Sequence, residues 1–135
     1  MKGKARVLLC DDEPDFLELI SAGLEARGYE VATVSGGREA IDFIKKTPPD
    51  ILFLDINMPE MNGLETLRQV RRFHKELPIV IISASYQDEK NFSTANQFGI
   101  SGFFPKTGSL DQLNNIIEAS LRAHARLKEW PPREQ

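Results

Sequence analysis

Four short apolar stretches in this chain are each followed by residues able to handle a charged ligand. Arg6 to Cys10 (RVLLC) leads into Asp11, Asp12 and Glu13. Ile51 to Leu54 (ILFL) leads into Asp55, Ile56 and Asn57. Ile79 to Ile82 (IVII) leads into Ser83, Ala84 and Ser85. Gly102 to Phe104 (GFF) leads into Pro105 and Lys106. If these stretches lie side by side, carboxylates, a hydroxyl and an ammonium converge at one edge. Two like charges about 4 Å apart repel by about 4 kcal/mol at an effective dielectric near 20. An acidic cluster of that kind calls for a hard divalent cation and a nearby lysine. Few protein ligands and room for water favour magnesium over calcium. Each residue taken singly has a plainer role. A carboxylate after a strand is a helix cap or turn former, so Asp11 or Asp12 could cap the first helix, with Pro14 in its first turn. Ser83 alone is a satisfied strand-end hydroxyl, and Lys106 alone is a solvated side chain. Their joint placement argues for the site.

The elements that must position these residues follow from the hydrophobic pattern. Glu30 to Val34 (EVATV) adds a fifth strand candidate. Three of the five runs are continuously apolar, which suits parallel strands covered on both faces. Between them lie helical spacings: Phe16, Leu17, Ile20 and Leu24, stopped at Gly28; then Ala40, Ile41 and Ile44, ended before Pro48 and Pro49. A third runs through Leu64, Leu67 and Val70, entered at Asn62 and Gly63. A fourth, about Glu89 to Phe98, is polar. The fifth carries Leu110, Leu113, Ile116, Ile117 and Leu121, with Ser109 as its N-cap. Strands alternating with helices predict a doubly wound α/β domain with a parallel sheet. In such sheets ligands bind outside the carboxyl ends of the strands, which is where the charged residues fall.

Composition narrows the function classes. The 135 residues fit one domain, and 41% hydrophobic content is enough for a core without staples. The lone cysteine, Cys10, rules out an intrachain disulfide and fits a reducing, cytoplasmic setting. The net charge of −3, with acids and bases interspersed, gives no basic patch for nucleic acid. The apolar run at Val7 to Cys10 is far too short for a signal peptide or membrane span. Residues 1–128 are expected to form the domain, with 129–135, ending WPPREQ, as a flexible tail.

These motifs together resemble response regulator receiver domains over roughly residues 5 to 125. Asp11-Asp12-Glu13-Pro14 looks like their acidic opening. Asp55 to Gly63 (DINMPEMNG) is similar to their phosphoacceptor loop. Pro78 to Ala84 (PIVIISA) and Gly99 to Lys106 (GISGFFPK) resemble their fourth and fifth strands. The resemblance implies a flavodoxin-like (βα)5 three-layer sandwich with sheet order 2-1-3-4-5. It makes Asp55 the phosphoacceptor, attacking a phosphohistidine. Mg2+, or Mn2+, would be held by Asp12, Asp55 and the Asn57 backbone carbonyl, with Asp11 acting through water and through Lys106. Ser83 would contact a phosphoryl oxygen from one side and Lys106 from the other. Phe103 would be the switch aromatic, lying inward more readily than a tyrosine because it buries no hydroxyl. Gly63 is expected to permit a left-handed turn, and Pro59 to fix the loop. Asn57 and Ser85 stand where the family tunes phosphoryl lifetime, and neither is acidic.

The implied protein is not an enzyme but a phosphoacceptor that assists its own phosphorylation and dephosphorylation. Its expected partners are a sensor histidine kinase or phosphotransfer protein and a downstream effector reached through helix four, strand five and helix five. No nucleic acid or membrane contact is expected, and the molecule would be a monomer or a weak phosphorylation-dependent dimer. One departure stands out: Thr107 follows Lys106 where the family usually has proline, and a cis bond there would cost about 3–4 kcal/mol. Other readings of the residues are a haloacid-dehalogenase-like phosphatase, which needs an acid where Asn57 stands, and a flavodoxin-like cofactor binder, whose phosphate the DDEPD segment would repel. A receiver-like interaction module that is never phosphorylated is the third.

Overall fold

The computed structural model describes residues 5–84 and 89–128. Ser85 and the expected tail at 129–135 lie outside the described residues. Within them, strands and helices alternate: β1 (Arg6–Cys10), α1 (Pro14–Ala26), β2 (Glu30–Val34), α2 (Gly37–Lys46), β3 (Ile51–Asp55), α3 (Gly63–Phe73), β4 (Ile79–Ser83), α4 (Glu89–Asn96), β5 (Gly102–Pro105) and α5 (Leu110–Lys128). The sheet is five-stranded, parallel throughout, in the order β2-β1-β3-β4-β5. This is the predicted three-layer α/β sandwich.

The continuously apolar runs are explained by the two-sided core. Leu8, Leu52, Leu54, Ile79 and Ile81 face α2 and α3, where Ile41, Ile44, Leu67 and Val70 meet them. Val7, Leu9, Phe53, Val80 and Ile82 point the other way, onto Ile20 and Leu24 of α1 and Leu113 and Ile117 of α5. Successive side chains of a strand alternate faces, so a strand buried on both must be apolar at every position. Each fully buried aliphatic side chain contributes about 1.5–3 kcal/mol.

The helix boundaries are written in short-range chemistry. Pro14 sits in the first turn of α1, and Gly28 ends that helix at φ +96°. The Asn62 side chain accepts the Glu65 amide at 2.9 Å to open α3. Ser109 and Gln112 exchange bonds at the start of α5, Gln112 N–H to Ser109 Oγ at 3.1 Å and Ser109 N–H to Gln112 Oε1 at 2.8 Å. That reciprocal pair is a capping box.

Four expectations need correction. The N-cap of α1 is Glu13, not Asp11 or Asp12, whose carboxylates are used elsewhere. Helix α4 stops at Asn96, two residues short of Phe98. Asp55 and Ser83 are the last residues of β3 and β4 rather than the first beyond them. Gly63 is not left-handed; Glu60 takes that conformation, at φ 65°. Gly63 is required for another reason. A Cβ there would stand 2.3 Å from the Asp55 carbonyl oxygen and 2.6 Å from Ile56 Cα, so only glycine lets α3 start this close to β3.

Candidate phosphoacceptor and metal site

The strand ends are brought level by backbone bonds that continue the sheet. The Asp11 amide donates to Val34 O at 3.2 Å, the Ile56 amide to Ile82 O at 3.1 Å, and the Lys106 amide to Ser83 O at 2.9 Å. The two buried carboxylates are then aimed by the same local device. Asp11 Oδ1 accepts the Glu13 N–H at 2.8 Å, and Asp55 Oδ1 accepts the Asn57 N–H at 3.0 Å. An Asp bonding the backbone two residues ahead is a turn-forming arrangement that fixes the side chain. The β3–α3 loop closes over Asp55 through the Gly63 amide, which donates to Ile56 O at 3.1 Å.

Asp11, Asp12 and Asp55 converge, each offering a carboxylate oxygen within 4.8 Å of the others. Asp11 and Asp55 are buried, at 0% and 3% exposure, while Asp12 opens to solvent. Lys106 reaches in from the end of β5. Its Nζ lies 2.8 Å from Asp11 Oδ2, 3.1 Å from Asp11 Oδ1 and 3.5 Å from Asp55 Oδ2, and it also pairs with Glu13. The reach of Lys106 is therefore unimpaired by Thr107. Ser83 closes the β4 side, 1% exposed.

Electrostatics follow from the geometry. Burial, above all, pushes the Asp55 carboxyl from its ordinary 3.8 up to about 7. The Asn57 N–H bond and the Lys106 charge pull against this, while Asp11 and Asp12 add to it. For Lys106, burial works to lower the pKa, but hydrogen bonds to Asp11 and Glu13 and the charge of Asp55 raise it above its ordinary value. The ammonium stays charged. Cys10, behind the pocket, has its thiol pushed up to about 12 by burial and by the neighbouring carboxylates, so it is no nucleophile.

The donor set fits a hard divalent cation. All three converging side chains offer carboxylate oxygens, two of them withdrawn from water. Asp11 Oδ2 is buried and accepts no directed hydrogen bond; the Lys106 charge faces it at 2.8 Å. One monovalent ammonium leaves the cluster net negative, which is the deficit that a divalent ion corrects.

Phe103 is half-buried on β5, packed against the α2–α3 side of the core, with the Phe92 ring of α4 edge-on at 5.2 Å between centroids. It lies neither fully inward nor in solvent. Asn57 is exposed at the mouth of the pocket. Sequence reasoning missed three participants: Glu13 as a partner of Lys106, Phe16, whose ring centroid is 4.9 Å from Lys106 Nζ, and left-handed Glu60 in the loop. Only the position of Glu13, two residues past Asp11, held a readable signal.

Known proteins bear on the family and the fold. A sequence profile of the response regulator receiver domain matches residues 7–118. The regulatory protein AtoC of Escherichia coli is 29% identical over 92% of this chain and 27% of its own length. The transcriptional regulatory protein TrcR of Mycobacterium tuberculosis is 35% identical over 91% of this chain and 48% of its own. The chain thus spans about half or less of these relatives. Among solved structures, chemotaxis protein CheY4 of Vibrio cholerae superposes with a TM-score of 0.81 at 29% identity, covering 86% of this chain and 98% of that one. NtrX of Brucella abortus gives 0.86 at 28% identity, covering 93% of this chain and 28% of that one. Because the matched segment holds every residue of the acidic pocket, and the sheet order agrees throughout, the chain belongs to the response regulator receiver domain family.

Proposed function

We propose that Asp55 accepts a phosphoryl group from the phosphohistidine of a sensor kinase or phosphotransfer protein, and that the molecule signals the event through α4, β5 and α5. The observation that carries this reading is the setting of Asp55: a buried carboxylate at the end of β3, flanked by two other aspartates within 4.8 Å and by Lys106 at 3.5 Å. Such a group is a poor structural residue and a well-placed nucleophile.

The ionised Asp55 oxygen attacks phosphorus in line with the leaving nitrogen. The P–N bond breaks, the electron pair returns to the imidazole, and the new O–P bond makes an aspartyl phosphate. Lys106 would meet the charge on the phosphoryl oxygens, and the Ser83 hydroxyl would donate to one of them; the 3.5 Å approach of Lys106 to Asp55 and the burial of Ser83 at the end of β4 support these roles. Asp12, Asp55 and the Asn57 backbone carbonyl would hold Mg2+ or Mn2+, with Asp11 outside them. The bound cation supplies the positive charge that offsets the carboxylates and the transferred group. Once phosphorylated, Asp55 carries extra negative charge and strong acceptor oxygens. Ser83 drawn toward them vacates space beside Phe103, whose half-buried ring can then move inward. The expected setting is the cytoplasm. Among the described residues no helix is long and apolar enough to cross a membrane. The output is an effector protein or a further domain, as the greater lengths of AtoC and TrcR suggest for those proteins. A dehalogenase-type hydrolase lacks support, since Asn57 occupies the position of its general acid.

The test is acetyl phosphate with magnesium, read by intact mass. Wild type is expected to gain one phosphoryl group and Asp55→Asn none. A wild type that stays unmodified, or a variant modified equally, refutes the assignment.

A further inference from the structure

Glu13 opens α1 as its N-cap, yet its carboxylate makes no capping bond to the helix. A residue in that place normally spends its side chain on the first orphan amides. Here the side chain is 61% exposed, outside the core, and turns to Lys106 Nζ. The remaining contacts of that ammonium are uneven. Asp11 oxygens lie at 2.8 and 3.1 Å, while Asp55 Oδ2 is at 3.5 Å. The Phe16 ring, on the first turn of α1, has its centroid 4.9 Å from Nζ. A cation over an aromatic face is attracted to it. Asp11, Glu13 and Phe16 therefore all draw the ammonium to the β1–α1 side of the pocket, and Asp55 has the longest hold on it.

We infer that Glu13 is a positioning residue: with Phe16 it holds the Lys106 ammonium to the β1–α1 side of the pocket, at the long end of its 3.5 Å contact with Asp55, and so sets how readily that ammonium meets a phosphoryl group. The inference rests on the reading of Asp55 as phosphoacceptor. The physical basis is a competition. An exposed carboxylate holds a cation weakly, because water screens the pair. A phosphoryl group on Asp55 brings more charge into a buried setting, where each interaction counts for more. Lys106 then leaves Glu13 while keeping Asp11, whose 0% exposed carboxylate anchors the stem of the movement.

Two measurements test this. The first needs neither metal nor phosphoryl donor. In wild type, the Lys106 ε-methylene protons should show an upfield ring-current shift by NMR, abolished in Phe16→Leu. Glu13→Gln is expected to reduce that shift as the ammonium swings toward Asp55. A shift unchanged in Glu13→Gln overturns the inference. The second is the rate of phosphorylation by acetyl phosphate. Glu13→Gln should raise it about twofold to fivefold, the range of one exposed ion pair. In a Lys106→Met background the same change should give no gain. An unchanged rate in Glu13→Gln, or a gain that persists without Lys106, overturns the positioning role. If wild type itself takes no phosphoryl group, the phosphoacceptor reading fails, and the ring-current comparison still decides where Glu13 holds the lysine.

Discussion

At the residue scale, Asp55 carries a cost that its surroundings only partly offset. The folded protein keeps its proton to about pH 7, whereas the unfolded chain releases it near the ordinary 3.8. Between those values the folded state binds more protons. Stability of the metal-free protein therefore falls as pH rises through that window, and the full cost stands above it. Asp55→Asn removes the buried charge. In urea titrations at about pH 8 the metal-free variant is expected to exceed wild type by about 1–3 kcal/mol, with the gap shrinking at about pH 5. A gap that does not depend on pH would contradict this account. The same linkage governs metal binding, because the cation requires the ionised carboxylate. Calorimetry in buffers of different ionisation enthalpy should find close to one proton released per magnesium at about pH 6 and almost none at about pH 8.

At the element scale, two close approaches hold the signalling parts in place. The first is α3 against β3, where Gly63 lies over the Asp55 carbonyl. Gly63→Ala forces its Cβ into backbone that cannot yield without moving Asp55. It should cost about 1–3 kcal/mol, as overpacking does, and slow phosphorylation as well. Denaturation together with acetyl phosphate kinetics would check both. The second is the tether on α4. Of the described side chains of that helix, Ala95 alone is fully buried, so packing holds it weakly. Arg71 of α3 compensates at the turn that follows α4, where Nε donates to Phe98 O at 2.8 Å and Nη2 to Gly99 O at 2.8 Å, while Nη1 donates to His74 O at 3.1 Å at the end of its own helix. Arg71→Met removes the fork. Amide exchange in α4 is then expected to quicken by about tenfold, the equivalent of one or two hydrogen bonds, with β1 and β3 unchanged. Equal acceleration in the sheet would mean that Arg71 supports the whole fold instead.

At the scale of the whole molecule, the sheet is the rigid body against which these parts move. Its central strands β1, β3 and β4 are buried almost end to end, and both faces are covered. The two halves of the core share those strands, so neither face can melt alone. Leu8→Ala should cost about 2–5 kcal/mol, and near-UV and far-UV signals should still be lost in one coincident transition. Separate transitions would show the two faces to be independent. The active edge needs this stiffness: carboxylates from β1 and β3 and an ammonium from β5 hold their spacing only if the strand ends do.

The sequence by itself determined the strands, the sheet order through its family resemblance, and the placement of Asp11, Asp12, Asp55, Ser83 and Lys106 at neighbouring strand ends. Period and burial are local properties: a run such as ILFL can be satisfied only between two layers, and the residue ending it must sit at the sheet edge. The cap of α5 was legible for the same reason, as Ser109 acts on an amide three residues away, whereas the cap of α1 fell on Glu13 instead of Asp11 or Asp12. What only the tertiary structure decided involves contacts between distant segments. Gly63 has the sequence setting of a conformational glycine but is a steric one, because the backbone it touches is the end of β3 and the residue just after it. The strain passed instead to Glu60, which no composition rule marks. Lys106 belongs near the aspartates on the sequence alone, but its division among Asp11, Glu13 and Asp55, and its seat over Phe16, depends on how the end of β5 is held relative to the ends of β1 and α1, more than ninety residues away in the chain. Local chemistry fixes which groups arrive at the edge; long-range packing fixes how they share one charge.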